Sequence, residues 1–276
     1  MQGIHTFIPT ETKIEYLNKL LQVGFDTLDF GSFVSPKAIP QLKDTKEVLS
    51  GLKLKGSNTK LLAIIANYRG ATEAVAFEQI SYLGYPLSIS ETFQQKNTNK
   101  SITAALEDVS NIKALCAQHK KQLVVYISMA FGNPYGDPYS LDYLAQFTEI
   151  ITTLGVDIIS LSDTIGVANP AQIKNTFSDF SNTYPAINLG VHLHSTKETA
   201  AEKIRAALKA GCERFDGAIL GYGGCPMAKD ELVGNIDTRI ILEEIEKSCV
   251  SSLKLDMAAF KEAEAFASQD VFWKYK

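Results

Sequence analysis

The sequence runs to 276 residues, 45% hydrophobic and 21% charged, with a formal charge of −4 at neutral pH. That balance suits one large globular domain. It gives no pull toward nucleic acid, and no run approaches the roughly 18 apolar residues that a membrane helix needs. Four cysteines, Cys116, Cys212, Cys225 and Cys249, are scattered without a CxxC pair, which points to free thiols in a reducing compartment. The opening residues lack the zones of a signal peptide. A cytoplasmic location is expected, with a mitochondrial one as the alternative if the natural N-terminus lies upstream.

Helical and strand patterns alternate along the chain. From Thr10 to Val23, Ile14, Leu17, Leu20 and Leu21 share one face, and Pro9 precedes them, as at a helix start. Gly24 ends this helix and a strand follows at Thr27–Phe33. The next strand is Leu61–Ala66, and a helix over Ala71–Leu83 leads through Gly84 to a strand near residue 86. Helices are then predicted at Ile102–Gln118, Leu141–Leu154, Ala171–Ser181, Thr199–Ala210 and Thr238–Glu246. Between them lie strands at Gln122–Met129, near residue 157, at Ile187–His194 and from Arg214. The strands are near-continuous apolar runs, as expected of a parallel sheet covered by helices. A glycine after the last helical turn recurs at Gly24, Gly84, Gly155 and Gly211, where it can take the left-handed conformation that ends a helix.

The count gives seven strands with a helix ahead of the first. That is the pattern of a TIM-type (β/α)8 barrel lacking its first strand. Residues 1–250 form the barrel and residues 251–276 a helical tail packed on it, with Trp273 as the docking side chain. The alternative is an open doubly wound sheet, and the lack of a GxGxxG or GxxxxGK[ST] turn counts against it.

Several residues carry chemistry. His192 and His194, two apart near the end of a strand, point to one side. At a barrel mouth they suit a divalent metal, although two unliganded histidines would show the same letters. Asp163 ends another strand, placed for proton transfer or for bracing a loop. Asp29 lies within a strand, where a buried carboxylate needs a partner. Cys225 sits among the glycines of Gly221–Asn235, where an acid or nucleophile role competes with inert packing. Asn235 offers an amide oxygen suited to a hard cation.

Five motifs in order, SFVSPKAIPQ, SETFQQKNTNKS, SLSDTIGVANP, HLH and GYGGCPMA, resemble the 3-hydroxy-3-methylglutaryl-CoA (HMG-CoA) lyase family of barrel metallolyases. The resemblance implies an acyl-CoA substrate split into acetoacetate and acetyl-CoA, Mg2+ or Mn2+ as cofactor, and a homodimer. It implies metal ligands at His192, His194 and Asn235. Asp163, with His192, is implied as base and Cys225 as acid, with Asp29 in the place of a catalytic glutamate. Gln2, Asn97 and Thr164 are implied at the substrate. Related acyl-CoA lyases, aldolases and 2-oxo-acid/acetyl-CoA synthases share the barrel and stand as alternatives, as does an inactive truncated form.

The sequence also departs from the family. The first strand of the family ends in an Arg-Asp pair, the arginine stabilising the enolate and the aspartate binding metal. This sequence opens at Met1-Gln2-Gly3, just after that pair. Ser195 stands where the family usually has an aspartate. Met1–Lys276 by itself is therefore expected to have little or no lyase activity, since one lost oxyanion donor alone costs on the order of 10²–10³ in rate.

Overall fold

The computed structural model describes residues 1–224, 233–248 and 253–275. One sheet of seven strands runs in chain order: β1 (Thr27–Ser32), β2 (Lys60–Ile64), β3 (Ile80–Ser88), β4 (Gln122–Ser128), β5 (Ile158–Asp163), β6 (Asn188–Ser195) and β7 (Gly234–Asn235). The first six are parallel, while β7 pairs antiparallel with β6. Among the described residues β1 and β7 do not pair, so the sheet is a barrel left open on one side.

The helices are α1 (Thr10–Val23), α2 (Thr45–Ser50), α3 (Tyr68–Val75), α4 (Glu91–Thr98), α5 (Ile102–Gln118), α6 (Leu141–Thr153), α7 (Pro170–Thr183), α8 (Lys197–Lys209), α9 (Thr238–Ser248) and α10 (Met257–Phe266). Local chemistry fixes their starts. Ser90, Ser101 and Ser140 accept from backbone amides at the heads of α4, α5 and α6, and Asn169 with Gln172 closes a capping box on α7. Among the described residues no helix is long and apolar enough to cross a membrane.

Two expectations about the strands need correction. The helix expected over Ala71–Leu83 stops at Val75, and the whole of Ile80–Ser88 is strand. Gly84 is thus a mid-strand residue, not a helix end. A Cβ there would lie 2.7 Å from Ile64 Cδ1, so the barrel interior has room only for glycine at this point. The strand expected from Arg214 is reduced to two isolated parallel bridges, Phe215 to Val191 and Ala218 to Asp237. Leu220 then takes a left-handed φ of 59° and turns the chain away. The edge of β6 beyond the bridge is occupied by β7 instead, with His194 opposite Asn235.

The apolar interior falls into two parts. The main core lies between sheet and helices. A small separate cluster of Leu62, Val124 and Ile158, with Ile64, Tyr82 and Tyr126 against it, fills the inside of the curled sheet. After α10 the chain continues as a π-helical turn (Ala267–Phe272) and a last helical turn (Trp273–Tyr275). Trp273 is 79% exposed and does not dock; its neighbour Phe272, at 3%, does. Asp256 N–H donates to the Val23 carbonyl, tying the head of α10 to the end of α1.

Candidate active site

The C-terminal end of β6 gathers the donors. The rings of His192 and His194 lie 5.3 Å apart, and Asn235 faces His194 across the β6–β7 ladder. The Asn235 side chain donates from Nδ2 to the Tyr222 carbonyl at 3.3 Å, which turns its Oδ1 the other way. Oδ1 of Asn235 and Nδ1 of His194 are buried with no hydrogen-bond partner, and Nδ1 of His192 is buried with Asp216 Oδ2 facing it at 3.5 Å. Each orphan costs about 1–3 kcal/mol, and such a cluster marks a place built for something else. Burial, with His192 close by, pushes the His194 imidazole down to about 3. It is neutral at physiological pH and keeps a lone pair for a ligand. Two imidazoles and an amide oxygen fit a divalent cation. Among the described residues no three of His, Cys, Asp or Glu gather as such a site, because here the third donor is an amide.

The sequence reading missed Asp216. Its Oδ2 accepts from Ser160 Oγ at 3.1 Å and lies 3.5 Å from His192 Nδ1, long for a hydrogen bond but close enough to orient the ring. Burial raises its carboxyl, yet His192, Arg214 (3.9 Å from Oδ1) and Ser160 together hold it below the usual carboxylate range. The signal was the alternation Arg214, Asp216, Ala218, which puts an acid and a cation on one face of a strand-like segment. Tyr126 stands edge-on to His192 at 5.7 Å, its phenol raised well above the ordinary value by burial.

Asp163 is engaged on both oxygens. Oδ1 accepts from Val167 N–H at 2.9 Å; Oδ2 accepts from Ala168 N–H at 3.1 Å and from Lys203 Nζ at 2.8 Å. Burial pushes this carboxyl up, while the ammonium and the two amides act against the rise. The arrangement braces the loop after β5. Lys203 also donates to the carbonyls of Gly166 and His194, both at 2.9 Å, so one buried ammonium joins β5, its loop and β6. This lysine was also missed, although it sits on the buried face of α8 with Ala200, Ile204 and Ala207. The Thr164 hydroxyl accepts from Met129 N–H at 3.0 Å, and Met129 holds a left-handed φ of 61°. Strained backbone at a strand end is a recurrent mark of functional sites.

Asp29 points among charges at the open side of the barrel. It keeps contact with water, yet protein packs around it deeply enough that desolvation raises its carboxyl to about 7, against the pull of the Met1 amine and His192. Between about pH 4 and 7 the unfolded chain has lost this proton and the folded chain has kept it, so stability falls as pH rises through that window. Asp29→Asn is therefore expected to raise the melting temperature at pH 8 and leave it nearly unchanged at pH 4. The gain should stay within about 1 kcal/mol, because water reaches the group. Equal shifts at both pH values in a melting series would overturn this.

The remaining candidates are dispersed. Gln2 and Asn97 are exposed. Cys225 and Cys249 lie outside the described residues. Burial pushes the thiols of Cys116 to about 11 and Cys212 to about 12, which makes both inert packing groups.

The family model HMGL-like matches residues 1–266. The chain is 32% identical over 257 residues to hydroxymethylglutaryl-CoA lyase YngG of Bacillus subtilis, covering 93% of this chain and 85% of that one. Its fold superposes on a Bacillus subtilis HMG-CoA lyase crystal structure with a TM-score of 0.90 at 30% identity, over 98% of this chain and 89% of the other. An Acinetobacter baumannii HMG-CoA lyase in complex with coenzyme A and 3-methylmalate gives 0.87 at 31% identity over 97% and 86%. With a family model running through nearly its whole length and a lyase matched at this identity, the chain belongs to the HMG-CoA lyase family.

Proposed function

We propose that the protein is a metal-dependent carbon–carbon lyase that splits HMG-CoA into acetoacetate and acetyl-CoA. The observation that carries this reading is the gathering of His192, His194 and Asn235, with Nδ1 of His194 and Oδ1 of Asn235 buried and unpartnered, in a chain of this family. Mg2+ or Mn2+ held by these residues would acidify the tertiary hydroxyl of the substrate.

The reaction removes the hydroxyl proton, breaks the bond to the thioester-bearing carbon and leaves that electron pair as a thioester enolate, which is then protonated. Asp163 has both oxygens occupied and serves to brace the loop after β5. Asp29, raised to about 7, is the better proton acceptor, since a group poised near the working pH exchanges protons most readily. Asp216 and Tyr126 fix the His192 ring. Cys225, beyond the Gly223–Gly224 turn, is the acid that protonates the enolate. Thr164, Asn97 and Gln2 are assigned to the acyl-CoA, and the assembly to a homodimer.

The test is release of acetyl-CoA and acetoacetate from HMG-CoA by the full-length protein with Mg2+ or Mn2+. Loss of turnover on chelation and its return with either metal is the expected result. Condensation of acetyl-CoA with a 2-oxo acid, or formation of pyruvate and an aldehyde, would overturn it in favour of the synthase or aldolase branch.

A further inference from the structure

Asn235 can present Oδ1 only if its amide is held one way round, and the group that holds it is the backbone carbonyl of Tyr222. That carbonyl is in turn fixed from outside the barrel. The Tyr222 ring stacks on Phe272, with centroids 4.1 Å apart and planes 13° from parallel. Phe272 is buried in the π-helical turn that follows α10, and Tyr16 of α1 meets its edge at 6.1 Å. The surrounding backbone has little slack. Gly223 accepts from Asn235 N–H at 3.2 Å, and a Cβ on Gly223 would lie 2.9 Å from Asn235 Nδ2. A shift of Tyr222 would therefore be passed directly to the Asn235 amide.

We infer that Phe272 of the C-terminal tail is a positioning residue for Asn235, acting through the Tyr222 ring and carbonyl. The chain of contacts runs from aromatic stack to carbonyl, from carbonyl to amide hydrogen, and from amide to the free Oδ1 aimed among the histidines. Offset aromatic stacks are directional as well as apolar, so Phe272 sets where Tyr222 lies rather than merely covering it. Partners behind a ligand are worth about 10–100-fold in metal affinity. Because the inference rests on the metal reading above, its test needs a readout that requires no metal.

Phe272→Leu keeps apolar volume and removes the stack. In the metal-free protein the side-chain amide signals of Asn235, identified by their loss in Asn235→Ala, should move toward the solvent-exposed position and exchange faster in this variant. Direct Mn2+ titration should show binding weakened about 10-fold, with no further weakening when Phe272→Leu is added to Asn235→Ala. Val271→Ala, which trims a buried neighbour in the same turn, should leave both readouts near wild type, and Phe272→Tyr should restore them. Unmoved amide signals in Phe272→Leu would overturn the inference, as would equal weakening with and without Asn235. Moved amide signals in a wild-type background that binds no Mn2+ would overturn the metal reading and leave the coupling between tail and Asn235 standing.

Discussion

His192→Ala and His194→Ala are each expected to weaken Mn2+ binding by at least about 100-fold, with turnover falling by a comparable factor. Loss of an outer partner alone costs a metal site 10–100-fold, and a direct ligand should cost no less. The two variants should differ in stability. His194 is 3% exposed and neutral, with burial holding its imidazole at about 3, so its removal leaves a hole. His192 keeps about a third of its side chain open to the barrel mouth, and its loss should be milder. Calorimetric titration with Mn2+, paired with thermal melts, separates the two effects. Binding in either variant within a factor of three of wild type would remove these residues from the metal site.

The largest effect on folding is expected at Lys203. Lys203→Met should destabilise the protein by about 3–5 kcal/mol, the range for breaking one half of a buried ion pair. The cause is the Asp163 carboxylate, which would remain buried with no cation beside it. Removing both charges, in Asp163→Asn with Lys203→Met, should recover more than half of the loss. Recovery stays incomplete because the carbonyls of Gly166 and His194 lose their donor either way. Urea unfolding of the three variants gives the comparison. A cost below about 1 kcal/mol for Lys203→Met, or a double variant no better than the single, would refute the argument.

Periodicity carried most of the architecture. α1 and α5 begin and end where the apolar spacing and their flanking residues place them. The failures have local causes. The apolar run from Ala71 to Leu83 suits a helix or a buried strand equally well, and pairing of Ile80–Ser88 between two neighbours decided for strand. The segment from Arg214 was read as a full strand because nothing in its letters announces the left-handed Leu220. At the site, His192, His194 and Asn235 were visible as letters. Their supports, Asp216 and Lys203, were not, because each takes its meaning from a partner more than 35 residues away in sequence. The motifs likewise have plain structural tasks that sequence does not disclose. Gln41 in SFVSPKAIPQ bonds the backbone of Ile4, Thr6 and Ile8, and Ser90 with Thr92 in SETFQQKNTNKS holds Asp137.

The order of strands in the sheet has a consequence for how the molecule is made. Each of the first five strands pairs with the one that follows it in the chain, so no strand must wait for a partner from a distant part of the sequence. A sheet with such near-neighbour pairing can grow as the ribosome releases it, each strand and helix docking on the edge already laid down. Only β7 reverses this order by folding back against the end of β6, and it brings Asn235 with it. The histidines are in place before their third companion emerges, and the tail that steadies it comes later still. Asn235, the residue that would complete the proposed metal set, is therefore the last of the three to be synthesised.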